Sequence, residues 1–576
     1  MLRHIRNWRQ FGAGAVLFLF LILTAIGSVH ASQSGEDPDP YIITGQLVDE
    51  QGQPVIGAEI IARVPEEGKD TAEPLAQTTS LENGSFALHL SQLPPETAVI
   101  SIETHHFSNR QLTLAGFPRE NLENQGFHNL KTLTLKRRVT AGFWLAGLIF
   151  FGVLLIIALE KLHSTTAALA GISAVFLVTF LGDAVWSDLY IFSLDRALTY
   201  INWEVIFLVM AMMIVIAIIE GTGVFQWTAF QAYRISRGRS WLLMLILMLI
   251  TAVASALLDN FTTMLLMTPI SLQIALALGI NPFALIIPEV LASNVGGIST
   301  LIGTPTNILI GAHADIGFSG FIIHQTLGVV VALIIMSLYV LWHYRAEWHK
   351  QSGGISPRLY QQLEKNAQIE DPETLRRSGI VFGVILIGFI IGERYHIAPA
   401  VPALIGATSL LVWLKPDVQR LIKAVDWTTL VFFMALFMIV GAIQEVGLIS
   451  VIAGGIGHIV GTNLILAIIV MAFGVGLLSV FIANIPLAAS MLPVADFLTA
   501  TIPGANNKVL YYALSMGAAM GGNGSIVGGE ANLVTAGITE QAGRPIAFIE
   551  FLKVGLPVTL ITLTVGVLWL IVHFAI

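Results

Sequence analysis

The chain contains no cysteine, so disulfides, thiolate nucleophiles and cysteine-ligated metal centres are excluded. Charge is nearly as scarce. Only 11% of the 576 residues are charged, against about 25% in a soluble globular protein. So long a chain cannot solvate its surface with that little charge, which excludes an ordinary soluble enzyme and a nucleic-acid binder. A phosphate-binding GxxxxGK[ST] loop is missing too: Gly68-Lys69 is followed by Asp70, so transport driven by the chain's own ATP hydrolysis is not expected. Lysine and arginine are absent from Trp241 to Tyr344 and from residues 427–507, stretches that retain Asp259, Glu289, Asp315, Glu445 and Asp496.

What is present is apolar: 55% of residues are hydrophobic and the mean hydropathy is +0.78. The net charge of −8 is uneven, with 15 acids against 5 bases in residues 32–135 and 22 against 24 elsewhere. An acidic, water-compatible segment therefore precedes a long membrane-like one. Ahead of both, Arg3, Arg6 and Arg9 lead into apolar Phe11–Ile26 and the small-residue end Val29-His30-Ala31. That is the order of a secretory signal over residues 1–31, or of a retained signal anchor. Either one places the following segment outside the cytoplasm.

Residues 38–136 read as a small extracytoplasmic β-sandwich. Tyr41–Val48 and Ala58–Val64 are rich in β-branched residues, Asp49–Pro54 turns the chain between them, and Glu82-Asn83-Gly84 precedes a further strand at Phe86–Leu90. Adjacent His105 and His106 on a strand would point to opposite faces and make no metal site. The run Gly45, Asp49, Gly52-Gln53-Pro54 and Gly57-Ala58 resembles the carboxypeptidase regulatory-like β-sandwich, which implies an accessory role.

From Ala141 the hydropathy is that of a polytopic membrane protein, with spans expected at 141–159, 165–181, 203–220, 320–342, 378–392, 399–414, 427–445 and 550–572. With the β-domain outside, Lys161, Arg234, Arg237, Arg239 and the basic loop 343–377 fall inside, as the positive-inside rule requires; Lys136-Arg137-Arg138 is an exception. An internal repeat organises these spans. An offset of 224 pairs Trp203 with Trp427, Gly223 with Gly447, Asn260 with Asn484 and Pro269 with Pro493, and one inserted residue then pairs Asn307 with Asn532. An odd number of crossings separates the two tryptophans, so the halves, 141–348 and 378–576 around a cytoplasmic loop at 349–377, are inverted. Inverted repeats with broken helices are the architecture of secondary transporters, with the site near the bilayer midplane.

The breaks carry the chemistry. Asp259, Asn260 and Thr262 interrupt one long apolar run and supply oxygens. Ser293, Asn294, Gly296 and Gly297 open a second, where paired glycines permit unwound backbone. Thr304 then suits an N-cap and Pro305 a first helical position, so a half-helix carrying Asn307 restarts there. The counterparts are Asn484 and the stretch Asn523, Gly524, Glu530, Asn532. Irregular backbone at membrane depth survives only when buried in protein or lining a cavity. Intramembrane carboxylates cost about 3 kcal/mol each on insertion scales, so Asp259, and with it Glu289 and Glu530, point to function. Asp315 and Asp496 read as solvated loop residues.

The motifs LLDNFTTMLLMTP and SNVGGISTLIGTPTN, repeated as FIANIPLAASMLP and GGNGSIVGGEAN, resemble the ion transporter superfamily. Within it they are most similar to the branch of arsenite-pump and sodium–proton-antiporter permeases and the melanosomal P protein; citrate and divalent-anion symporters are more distant. The resemblance implies a homodimer with two re-entrant hairpins, tipped by Asp259-Asn260 and Asn484, facing unwound loops near Gly296–Thr304 and Gly522–Gly529. The expected fold is thus an all-α polytopic membrane domain of two inverted repeats with re-entrant hairpins, preceded by the β-sandwich. The expected function is a plasma-membrane carrier rather than an enzyme, exchanging cations for protons with Na⁺ or H⁺ as coupling ion and no other cofactor. Asp259, Asn260 and Thr262 are the candidate Na⁺ ligands. The alternative is sodium-coupled uptake of a small carboxylate, or oxyanion export.

Overall fold

The structure, a computed structural model, describes residues 41–575 apart from 51, 53, 65–73, 82, 116, 160, 349–360, 362–363 and 366. The signal segment and the first part of the loop at 349–377 lie outside the described residues. Two compact units meet between Arg138 and Val139.

The first unit holds strands β1 (Tyr41–Val48), β2 (Glu59–Arg63), β3 (Ala76–Thr79), β4 (Ser85–Leu90), β5 (Val99–Glu103) and β6 (Arg110–Thr113), helix α1 (Phe117–Gln125) and strand β7 (Phe127–Thr134). They form a three-stranded sheet in the order β4-β1-β7 and a four-stranded sheet in the order β3-β2-β5-β6. β1 runs antiparallel to β4 and parallel to β7. Along β4 the side chains of Phe86, Leu88 and Leu90 point inward and alternate with exposed Ala87 and His89, the two-residue period of a half-buried strand. Ile43, Ile60, Ile100, Leu114 and Leu122 complete the core between the sheets. Gly84 turns the chain into β4 at φ +73°, where a side chain would also strike the Leu47 carbonyl. His105 and His106 lie in the turn after β5, not on a strand; His106 is buried there and His105 exposed.

The second unit is helical and runs through one succession of elements twice. The first pass is α2 (Ala141–Ala158), α3 (Ser164–Ala184), α4 (Leu194–Thr199), α5 (Trp203–Glu220), α6 (Val224–Ser236), α7 (Ser240–Leu257), α8 (Asn260–Leu278), α9 (Phe283–Gly297), α10 (Pro305–Ala314) and α11 (Phe318–His343). The second is α12 (Pro372–Arg394), α13 (Ala400–Leu414), α14 (Val418–Ala424), α15 (Trp427–Glu445), α16 (Leu448–Val460), α17 (Leu464–Ser479), α18 (Asn484–Thr501), α19 (Val509–Gly521), α20 (Glu530–Gln541) and α21 (Phe548–Phe574). Among the described residues, nine of these helices are long and apolar enough to cross a membrane.

Local features recur in register. Asn202 and Asp426 cap α5 and α15 through their side-chain oxygens. Gly223 and Gly447, at φ 80° and 86°, start the amphipathic helices α6 and α16. Pro269 and Pro493 sit inside α8 and α18. Packing is exchanged between the repeats: α10 lies on α18 and α20 on α8, while α13 lies on α5 and α15 on α3. Each half-helix is therefore seated on the other repeat's hairpin, which brings both sets of breaks to one place.

Candidate functional site

The helices α7 and α8 turn at Leu258-Asp259, and hydroxyl groups tie that turn to the break between α9 and α10. Ser255 Oγ donates to the Ser293 carbonyl at 2.8 Å, Ser293 Oγ to the Asn260 carbonyl at 3.4 Å, and the Thr300 hydroxyl to the Ala256 carbonyl. The second repeat repeats the clamp: Ser479 Oγ donates to the Ala518 carbonyl at 2.8 Å and the Ser525 hydroxyl to the Val480 carbonyl. The break separates the two short helices α9 and α10, and the hairpin tip is fastened to it. The pairs α7–α8 and α17–α18 are re-entrant hairpins.

The non-helical stretch of the first break is Ile298–Thr304, whereas Gly296 and Gly297 remain in α9. Their task is close approach, not unwinding. A Cβ on Gly296 would sit 2.5 Å from the Ala252 carbonyl, and one on Gly297 would meet the Gly303 carbonyl. Gly521 and Gly522 meet the Gly476 and Gly528 carbonyls in the same way. Asn523 and Gly524 form a short turn after α19. The loops themselves are held by one asparagine each: Asn307 Nδ2 donates to the Ile298 and Thr300 carbonyls at 3.1 and 2.8 Å, and Asn532 Nδ2 to those of Gly522 and Ser525 at 2.7 and 2.8 Å.

A chain of amides then crosses between the repeats. Asn260 Nδ2 donates to Asn294 Oδ1 at 3.0 Å, and Asn294 Nδ2 donates to both Asn523 Oδ1 and Asn532 Oδ1 at 2.9 Å. Asn307 Oδ1 accepts from Ser515 Oγ at 2.6 Å, and Ser515 and Gln325 are hydrogen-bonded to each other. Asn260, Asn294, Asn307, Asn523 and Asn532 are all buried. With their donors and acceptors matched to one another and to loop carbonyls, they are the polar keystone that fixes the tips against the breaks.

The acids lie beside this chain. Asp259 caps α8, its Oδ1 accepting from the Thr262 amide at 2.7 Å. It lines a small cavity with Glu530, the first residue of α20, and Asp426, the cap of α15; Val209, Met212 and Phe261 complete the walls. A larger cavity of about 1070 Å³ continues from Thr262, Asp426 and Glu530 to Glu220, His163 and Gln541 at helix ends. Neither cavity is lined by lysine or arginine. The repeat-related position is shut. Val205, Pro305, Leu309, Phe433, Leu436, Phe437 and Ile485 close on one another and leave no space for water. The two faces of the site thus differ, one open and acidic, the other closed and apolar.

Several sequence expectations change. Thr304 occupies the N-cap position of α10 but makes no side-chain cap: its Oγ1 is buried without a hydrogen-bond partner among the described residues, as are Thr306 Oγ1 and Asn484 Oδ1. Glu289 is fully buried in α9, taking one hydrogen bond from Ser271 Oγ at 2.7 Å, and does not line the acidic cavity. Asp496 is no loop residue; it sits in α18 and bonds His313 Nε2 at 2.8 Å and the Tyr511 hydroxyl. Glu445 is held by Arg196 at 3.2 Å and by the Tyr200 hydroxyl. The sequence reading missed the hydroxyl clamps and the cavity-lining role of Asp426. The repeat offset held the signal, since it pairs Ser255 with Ser479 and Asn202 with Asp426. Among the described residues no three His, Asp or Glu side chains are grouped as metal ligands.

A membrane domain of two repeats, with hairpin tips and broken helices meeting in its centre, defines a membrane transporter. The chain belongs to the citrate transporter family, whose profile matches residues 154–517. It is 34% identical over 424 residues to an uncharacterized transporter of Mycobacterium bovis, covering 73% of this chain and 96% of that one. It is 31% identical over 515 residues to the human P protein, covering 76% of this chain and 61% of that one. Among solved structures, MtrF of Neisseria gonorrhoeae aligns with 76% of this chain and 95% of its own at a TM-score of 0.49 and 10% identity.

Proposed function

We propose that the protein exchanges a cation for protons, with Na⁺ the favoured ion. The observation that carries this reading is the cavity where Asp259, Asp426 and Glu530 meet with no basic side chain in its walls. Such a site attracts cations and repels anions. Asp259 holds either a proton or a cation, which is the minimum requirement for exchange. Asn260, Asn294 and Asn532 position the tips around it. In this reading the β-domain is extracytoplasmic, the carrier is a homodimer in the plasma membrane, and the large cavity faces the cytoplasm.

A second reading is cation-coupled carriage of a small carboxylate such as citrate. It is favoured by the family's description and by the half-helix α20, whose N-terminus borders the cavity and offers an anion its positive end. The test is flux into proteoliposomes with ²²Na⁺, citrate and arsenite supplied separately, for wild type and Asp259→Asn. Exchange requires Na⁺-driven proton movement in wild type and its loss in the variant. Citrate uptake with normal Na⁺ dependence in the variant would falsify it.

A further inference from the structure

We infer that Asp426 sets the cation affinity of one face of the carrier, and that its counterpart Asn202 makes the opposite face the weaker one. The inference rests on the cation reading above.

Asn202 and Asp426 do the same capping work, and Asp426 Oδ2 accepts in addition from the Thr429 hydroxyl at 2.6 Å. Asn202 Oδ1 accepts from the Val205 amide at 3.2 Å, and Asp426 Oδ1 from the Thr428 and Thr429 amides at 3.0 and 3.1 Å. Asparagine and aspartate are equivalent N-caps. The charge at 426 is therefore not needed to start α15. It differs from its mate in what it faces, because Asp426 lines the cavity with Asp259 and Glu530. The mates of those three residues are Asn202, Ala483 and Pro305, so the closed face carries no charge at any of the three positions.

The three acids also sit on different parts of the molecule. Asp259 belongs to the α7–α8 hairpin and Glu530 to the half-helix packed on it, whereas α15 packs chiefly against α3, with lesser contacts to α2, α16, α5 and the α18 arm of the other hairpin. Asp426 is thus a carboxylate of the surrounding framework that adds its field to the pair on the hairpin module from the open side only. A fixed negative charge at one mouth raises local cation concentration and occupancy there. At the other mouth Asn202 is neutral, and the nearby acids Glu204 and Asp315 lie outside the closed contact of Val205, Pro305 and Phe433.

The test measures half-saturating Na⁺ for ²²Na⁺ uptake separately in inside-out and right-side-out vesicles holding the full chain. The variants are Asp426→Asn, Asn202→Asp and the exchange of both. Asp426→Asn keeps the cap, and its amide nitrogen can donate to the Thr429 hydroxyl, so its thermal midpoint should stay near wild type, while Asp426→Ala loses both the cap and the Thr429 bond and reports their joint cost. The expected result is a rise of about tenfold in half-saturating Na⁺ at the cavity face with Asp426→Asn, the size of one carboxylate acting across a partly hydrated site. The charge exchange should make the opposite face the tighter one. An Asp426→Asn variant with wild-type values at both faces, or with equal weakening at both, overturns the inference while leaving cation exchange intact. A wild type that moves no Na⁺ from either face overturns the exchange reading and this inference together.

Discussion

Asn294 is the node at which the two repeats are bonded, and replacing it tests whether the amide chain holds the site together. Asn294→Leu keeps the branched shape, in a somewhat larger side chain, and removes three hydrogen bonds, those with Asn260, Asn523 and Asn532. It strands the Asn260 amide nitrogen and two amide oxygens in a buried environment. Each stranded buried group costs about 1–3 kcal/mol, less where a group retains another partner. Asn260, Asn523 and Asn532 each stay anchored through the other atom of the amide, which places the total at about 3–6 kcal/mol. Unfolding entropy of about 2.1 cal/mol/K per residue over the roughly 440 residues of the membrane unit gives about 0.9 kcal/mol per degree. The expected fall in Tm is thus about 3–7 °C. Asn463→Ala supplies the scale: Asn463 is exposed and caps α17 through one bond to the Leu466 amide, so its loss should cost about 1 kcal/mol, or about 1 °C. Thermal unfolding in detergent, followed by tryptophan fluorescence, reads both. The double variant Asn294→Leu with Asn523→Leu should lose less than the sum of the singles by about 1 kcal/mol or more. A fall for Asn294→Leu no larger than that for Asn463→Ala, or full additivity in the double, would refute the bonding.

Gly296→Ala should abolish stable expression or drop Tm sharply, since its Cβ meets the Ala252 backbone at 2.5 Å, whereas Gly474→Ala meets nothing within 4 Å and should be silent in the same assay. Burial holds the His128 imidazole below its ordinary value, so the folded β-unit prefers the neutral ring. The unfolded chain then binds the extra proton below about pH 6.5, and stability present above that pH is lost as pH falls through it. Urea midpoints of residues 38–138 should therefore decline from pH 7 to 5.5, and His128→Gln should flatten the decline; parallel profiles count against the burial argument. Glu445→Leu leaves the Arg196 guanidinium without its carboxylate and should lower Tm more than Glu445→Leu with Arg196→Leu, a ranking that differential scanning calorimetry would reverse if the pair were merely superficial.

The repeat and its four breaks were legible in the sequence because both depend on residue types that keep their register. Asparagine, proline and glycine in long apolar runs have few structural uses, so Asn260 with Asn484 and Asn307 with Asn532 stand out. Single hydroxyls do not. Ser255, Ser479, Thr300 and Ser525 are the residues that pin hairpin tips to loops, yet each looks like an ordinary small residue in a helix. Gly296-Gly297 was readable as a special place but not as to its kind, since unwinding and close approach both call for glycine. Asp496 read as loop because the partner that explains it, His313, lies 183 residues away. The partner of Glu445, Arg196, is likewise 249 residues distant. Contacts at that separation are decided by the folded arrangement of helices, which neither hydropathy nor local motif encodes.

The exchange of half-helices between repeats also imposes an order of events on the ribosome. Asn294 emerges 229 residues before Asn523 and 238 before Asn532. At about 5–20 residues per second, that interval is about 10–50 s. Throughout it, the first hairpin and its broken helix present the Asn294 amide nitrogen and the Asn307 amide oxygen, whose partners Asn523, Asn532 and Ser515 lie in the second half of the chain. Exposing them to lipid would cost several kcal/mol for each unmatched group. The nascent first repeat must therefore wait in a wet or protein-lined environment, or bond provisionally within itself, until α19 and α20 arrive. A chain truncated after residue 348 should then be held by the insertion machinery or degraded rather than released into the bilayer.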